Sequence, residues 1–153
     1  MVTLSNPHYI TGFVDGEGSF HVAIYKDKRM KAGVKFIPEF HVSQRFSSKI
    51  VLDLLAEYFA CGYVKANHAA RKSDTTYVYV VRNRDDLIEK IIPFFESHPF
   101  LTEKKRDFEL FAQIVRKMNK GEHRSIVGAK KILDLAYQMN RGGVYRRRKH
   151  IIS

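Results

Sequence analysis

The chain has 153 residues, 44% apolar and 12% aromatic, every ring a Tyr or Phe, which is enough to bury the core of one domain without covalent staples. Its single cysteine, Cys61, excludes an intramolecular disulfide and a cysteine-rich zinc site, and no run of about 18 apolar residues marks a membrane span. With 27 Lys and Arg against 16 Asp and Glu, the formal charge is +11, which suits a polyanionic partner, nucleic acid first.

In chain order, the opening residues carry no charged stretch ahead of an apolar run, so no secretory signal is expected. Ser5-Asn6-Pro7 reads as a helix start, and the helix is predicted over Pro7–Asp15, ended by Gly16 and Gly18. Phe20–Tyr25 alternates as a strand. A turn follows at Lys31-Ala32-Gly33, then a second strand over Lys35–Phe46, with Pro38 at a bulge or an edge. Lys49–Phe59 has helical spacing. Gly62–Asn67 and Thr75–Arg82 form a second hairpin around a polar loop. Helices are predicted over Asp85–Phe95 (broken or ended at Pro93), Thr102–Asn119 and Ile126–Met139. The order α-β-β-α-β-β-α-α-α predicts an α+β fold: a four-stranded antiparallel sheet with helices packed on one face and the other face open. Residues 1–153 read as a single domain, with 120–153 as a helical extension and basic tail.

The charge follows the predicted strands. His21–Lys49 holds seven basic and two acidic residues, and Cys61–Arg84 five and one, whereas Asp85–Glu103 holds one and five. The contact surface is therefore expected on the sheet. Outward parity gives His21, Ala23, Tyr25, Asp27, Arg29, Lys35, Ile37, Glu39 and His41 on the first ribbon. On the second it gives Lys65, Asn67, Thr76 and Val78, while Arg71, Lys72 and the tail arginines fit phosphates. A strand of about ten residues spans roughly 33 Å, close to one duplex turn of about 34 Å, so each ribbon can follow one turn of major groove.

The most informative string is Tyr9-Ile10-Thr11-Gly12-Phe13-Val14-Asp15-Gly16-Glu17-Gly18-Ser19-Phe20. Its small residues, Thr11 and Gly12, permit close approach by another helix. Carboxylates at Asp15 and Glu17 are disfavoured at a helix C-terminus, where the dipole is negative. A divalent cation would account for them, since Mg²⁺ takes one or two carboxylates plus phosphate oxygens; a plain glycine stop with solvated acids is the other reading.

Residues Ile10 to Gly18 also resemble the LAGLIDADG motif of homing endonucleases, and the α-β-β-α-β-β-α order and the strand end Val42-Ser43-Gln44 extend that resemblance over about Pro7–Met118. It implies site-specific, metal-dependent DNA double-strand cleavage within a long, near-palindromic target, with Mg²⁺ or Mn²⁺ as cofactor. One motif copy implies a homodimer through the motif helices, with Thr11, Gly12 and Asp15 at the contact and Asp15 also tying the helix end. The resemblance implies metal binding by Glu17, where most members have Asp, and by the Gly16 carbonyl. It implies Gln44 as the residue orienting water and Lys104 as the basic group beside the scissile phosphate. A further basic residue is implied where this chain has Ser48, with Arg45 and Lys49 beside it. The resemblance also points to an organellar (chloroplast or mitochondrial) or prokaryotic setting. The alternatives are a splicing maturase binding intron RNA, or a non-catalytic DNA-binding protein of the same fold.

Overall fold

The computed structural model describes residues 2–67 and 75–143, with side chains up to Asn140. Arg71, Lys72 and the tail arginines lie outside the described residues. Four strands, β1 (Gly18–Lys26), β2 (Val34–Arg45), β3 (Tyr63–Asn67) and β4 (Thr76–Val81), form one sheet in the order β1-β2-β4-β3. Both β2 and β3 pair antiparallel with β4. The helices are α1 (Pro7–Glu17), α2 (Lys49–Phe59), α3 (Arg84–Asp86), α4 (Ile92–Ser97), α5 (Lys104–Asn119) and α6 (Ile126–Gly143).

The chain divides into two compact units, one of Met1–Ser19 with Glu39–Lys104, the other of Phe20–Pro38 with Lys105–Ser153. In the first, Phe40, Phe59, Tyr79, Phe95 and Phe100 build an aromatic core with Ile10, Val14, Leu52 and Leu55. In the second, Phe20 packs on Phe108 and Phe111 at 5.2 and 5.1 Å between centroids. Ile114, Val115, Ile132 and Ala136 are buried in the same unit.

Helix α1 begins as its residues dictate: Asn6 accepts the amide of His8 at 2.9 Å, and Pro7 follows at the first helical position. It runs two residues beyond the expected end and passes straight into β1. Gly16 therefore lies inside the helix, not at its stop. Gly18 is the junction: its N–H bonds the Val14 carbonyl, and a Cβ there would stand 2.6 Å from Val14 Cγ1 and 2.9 Å from Val14 O. Only glycine allows that approach.

The β1/β2 turn closes through Gly33 at φ +77°. Pro38 sits within β2 and is buried, but pairing with β4 starts only at Phe40, so β4 asks for no N–H at Pro38. Pro93 does not break its helix. Between α3 and α4 the chain takes a π-turn, Leu87–Ile91, whose wider ring accommodates the missing N–H and the pyrrolidine.

Asp15 ties the end of α1 to the segment ahead of α5. Its carboxylate accepts the amides of Leu101 at 2.9 Å and Thr102 at 3.3 Å, and the Thr102 hydroxyl. Burial alone would raise its pKa. The Thr102 hydroxyl, the two amides and the charge of Lys104 outweigh that and hold it below the ordinary aspartate value. A carboxyl so depressed contributes stability in full above about pH 4 and loses it as pH falls through the folded value. Asp15→Asn should cost about 1–2 kcal/mol at pH 7. The gap in melting temperature between variant and wild type should close on acidification toward pH 3, as followed by circular dichroism; a gap independent of pH would refute the tie.

Candidate active site and nucleic-acid interface

At the exit of α1, Glu17 is exposed and accepts the Gln44 side-chain amide (Nε2 to Oε2, 3.3 Å). Gln44 is the penultimate residue of β2. Together they line a cleft of about 360 Å³ with Ser43, Arg45, Ser47, Ser48 and Thr76. Arg45 is the cation of that lining. Lys49 is engaged elsewhere: its ammonium pairs with Asp53 at 2.9 Å and lies over the Tyr77 ring. Of the two basic residues flanking Ser48, Arg45 is the one that lines the cleft with it.

Lys104 opens α5, and its Nζ donates to the carbonyl of Gly18, one residue beyond Glu17. It reaches the junction but does not line the cleft. Asp15 and Glu17 diverge because two residues turn a helix by about 200°. Asp15 is thereby turned toward Leu101 and Thr102.

Two of the expected dimer-contact residues bond within the chain. Thr11 is 8% exposed and donates its hydroxyl to the His98 carbonyl at 3.0 Å, so its polar group is engaged there. Asp15 is engaged likewise. The open face of α1 carries Tyr9, Gly12, Phe13 and Gly16 instead, with Tyr9 and Phe13 stacked at 6.2 Å. A Cβ on Gly12 or Gly16 meets nothing within 4 Å. Two glycines four residues apart leave a shallow groove on one helix face.

No group of three or more His, Cys, Asp and Glu that could hold an ion exists among the described residues. Glu17 is an exposed carboxylate with one weak partner. The carbonyl of Gly16, in the last helical turn, has no intrahelical donor. That hard-oxygen set fits half of a Mg²⁺ site, whose other ligands are phosphate oxygens, water and a second carboxylate.

The outward parity holds within each unit. In the second, His21, Tyr25 and Lys35 are exposed, Ala23 and Ile37 half-buried, while Phe20, Val22 and Phe36 are buried. Asp27 and Arg29 form a bidentate pair at the turn (2.9 and 3.0 Å), and the Arg29 hydrogen bonds pull the Asp27 carboxyl down to about 2. In the first unit, Lys65 and Asn67 are exposed and Thr76 half-buried. Val78 is corrected: it pairs with Ser43 and Lys65 on that face but is 4% exposed. It sits on a central strand, flanked on both sides by paired strands.

The same parity reaches Tyr63 and Arg82, which strand counting from Lys65 and Val80 could have found. Arg82 faces Glu39 at 3.6 Å and donates to the Tyr63 hydroxyl at 2.7 Å. His41 meets the other Glu39 oxygen at 2.7 Å. Burial lowers the His41 pKa more than the Glu39 charge and hydrogen bond raise it.

The LAGLIDADG endonuclease family model matches residues 10–115. A probable intron-encoded endonuclease of Neurospora crassa is 34% identical over 137 residues, covering 90% of this chain; the chain spans 25% of that relative's length. Among solved structures, the homing endonuclease I-TnaI is 39% identical with a TM-score of 0.85, covering 95% of this chain and 94% of that one. I-SmaMI, solved with uncleaved target in the presence of calcium ions and with cleaved DNA, is 30% identical with a TM-score of 0.85 in both. This chain covers 91% and 92% of itself and 46% and 45% of I-SmaMI in those two comparisons. The chain belongs to the LAGLIDADG endonuclease family.

Proposed function

We propose that this chain, acting as one endonuclease domain, is half of a homodimeric, site-specific DNA endonuclease that hydrolyses both strands of a near-palindromic target. The observation that carries the reading is the placement of Glu17 and Gln44 together in one cleft, at the end of a helix whose glycine face is open. The lengths agree with it: one chain matches nearly all of I-TnaI and about half of I-SmaMI. The +11 charge supplies sequence-independent attraction to duplex. An intron-borne gene suits the name of the Neurospora relative, a probable intron-encoded endonuclease.

A divalent cation, Mg²⁺ or Mn²⁺, supplies charge neutralisation at the phosphate and lowers the pKa of water when bound. Glu17 and the Gly16 carbonyl are the groups of this chain that would hold it. Gln44 is a positioning residue: its amide donates to Glu17, and its carbonyl oxygen can accept from the attacking water. Arg45 faces a phosphate from the cleft wall. Lys104 fixes the Gly18 carbonyl and so the path by which Glu17 leaves the helix. The dimer brings two Glu17 side chains together, one set per DNA strand.

Glu17→Gln should lower cleavage of a selected target by about a hundredfold or more, about 3 kcal/mol in the barrier. DNA affinity should hold or rise, because a negative charge beside phosphate is gone; an equally active variant would overturn the metal role. A wild type that binds RNA tightly and leaves every duplex uncut with Mg²⁺ would favour the maturase, and one that binds duplex alone a non-catalytic protein.

The glycine face gives a separate expectation. Gly12→Leu meets no atom within its own chain at Cβ and should raise the monomer's stability by roughly 1 kcal/mol. It should shift sedimentation from dimer to monomer and abolish cleavage. An unchanged dimer would move the contact off α1.

A further inference from the structure

On the polar side of the sheet in the first unit, Val78 and Val80 form a buried floor, 4% and 1% exposed. Over it Glu39 holds two groups: His41 on one oxygen at 2.7 Å and Arg82 facing the other at 3.6 Å. The Glu39 side chain is 15% exposed and the Arg82 side chain 47%. Arg82 is restrained from two further directions, by a 2.7 Å bond to the Tyr63 hydroxyl and by the Tyr63 ring 5.9 Å from its guanidinium carbon. One of its five N–H groups is thus committed to Tyr63 and Nε faces Glu39, and among the described residues nothing bonds Nη1.

An arginine fork fits a phosphate as well as a base, and what favours a base here is its place on the sheet face, at the same parity as Lys65 and Val80. A planar fork with a fixed orientation matches the two major-groove acceptors of guanine, O6 and N7. Each oxygen of the carboxylate beside it faces a partner within the chain, one His41 and the other Arg82, so its charge orients the arginine.

Resting on the DNA-endonuclease reading above, we propose that Arg82 reads a guanine in each half-site through the major groove, with Glu39 and Tyr63 as its positioning residues. The readout is sequence discrimination at one symmetric pair of positions, separate from the cleavage chemistry at Glu17.

The test is selection of randomised duplexes retained by the protein without Mg²⁺, sequenced for wild type, Arg82→Gln and Tyr63→Phe, with thermal melts of each. The wild type should require guanine at one position per half-site. Arg82→Gln should weaken that preference alone by about tenfold. Tyr63→Phe keeps the ring beside Arg82, removes the clamping hydroxyl, and should weaken the same position severalfold, so the test survives a poorly folded Arg82→Gln. Affinity lost equally on all sequences with a shallower salt dependence would make Arg82 a phosphate contact and overturn the proposal. Unchanged selectivity with a lowered melting temperature would make the cluster structural and overturn it as well. A wild type that selects duplex sites yet never cuts them with Mg²⁺ would sink the nuclease reading and leave Arg82's assignment standing; one that retains no duplex would sink both.

Discussion

The arrangement depends on a helix that enters a strand with no loop between them. Gly18 takes extended backbone while its N–H still bonds Val14 O, with Val14 packed where a side chain would begin. No slack exists at that point, so the orientation of the last turn fixes where Glu17 emerges. Lys104 on the Gly18 carbonyl and Asp15 on the Leu101 and Thr102 amides hold the junction from the side of α5. The two acids that looked unfavourable beside the helix dipole have separate explanations. Asp15 is compensated by donors within the chain, and the helix turn sends Glu17 the other way, into the cleft.

The strand readings succeeded where the two faces of the sheet meet different surroundings. In β1 and β2 the apolar positions Phe20, Val22, Val34, Phe36, Phe40 and Val42 are buried, and the polar positions between them are not. In β4 that contrast disappears: Val78, Tyr79, Val80 and Val81 are all buried, a continuous apolar run that parity cannot divide into faces. Val78 belongs to that run. Periodicity is silent at Thr11 for a related reason. A small residue on a helix fits both its own core and a partner, and the bond to the His98 carbonyl, 87 residues away in sequence, is not legible in the string. Glu17 and Gln44 were legible through the motif resemblance, while their hydrogen bond was not, since it spans 27 residues between a helix end and a strand end.

The electrostatics divide into a general and a local part. The surplus of basic residues supplies attraction that is blind to sequence and fades with salt. Against that background, acids on the sheet look counterproductive, yet Glu39 spends its charge within the chain on His41 and Arg82. Ordering an arginine before DNA arrives removes entropy that would otherwise be lost on binding, where an immobilised long side chain costs about 1 kcal/mol. The acid thereby trades some long-range attraction for discrimination at short range.

On the proposed reading, one helix supplies both the face for a second copy and the carboxylate for the chemistry. Gly12 and Gly16 lie on the open side of α1, and Glu17 follows at its last position. Two glycine faces let helix axes approach more closely than larger side chains would permit. On the proposed reading, that approach sets the separation of the two Glu17 carboxylates. A half-site with one acid binds a hard cation weakly, whereas two acids and a phosphate between them satisfy its preference for charged oxygens. Assembly, metal binding and DNA binding are then mutually dependent, and a lone chain on DNA lacks the second carboxylate that cleavage requires.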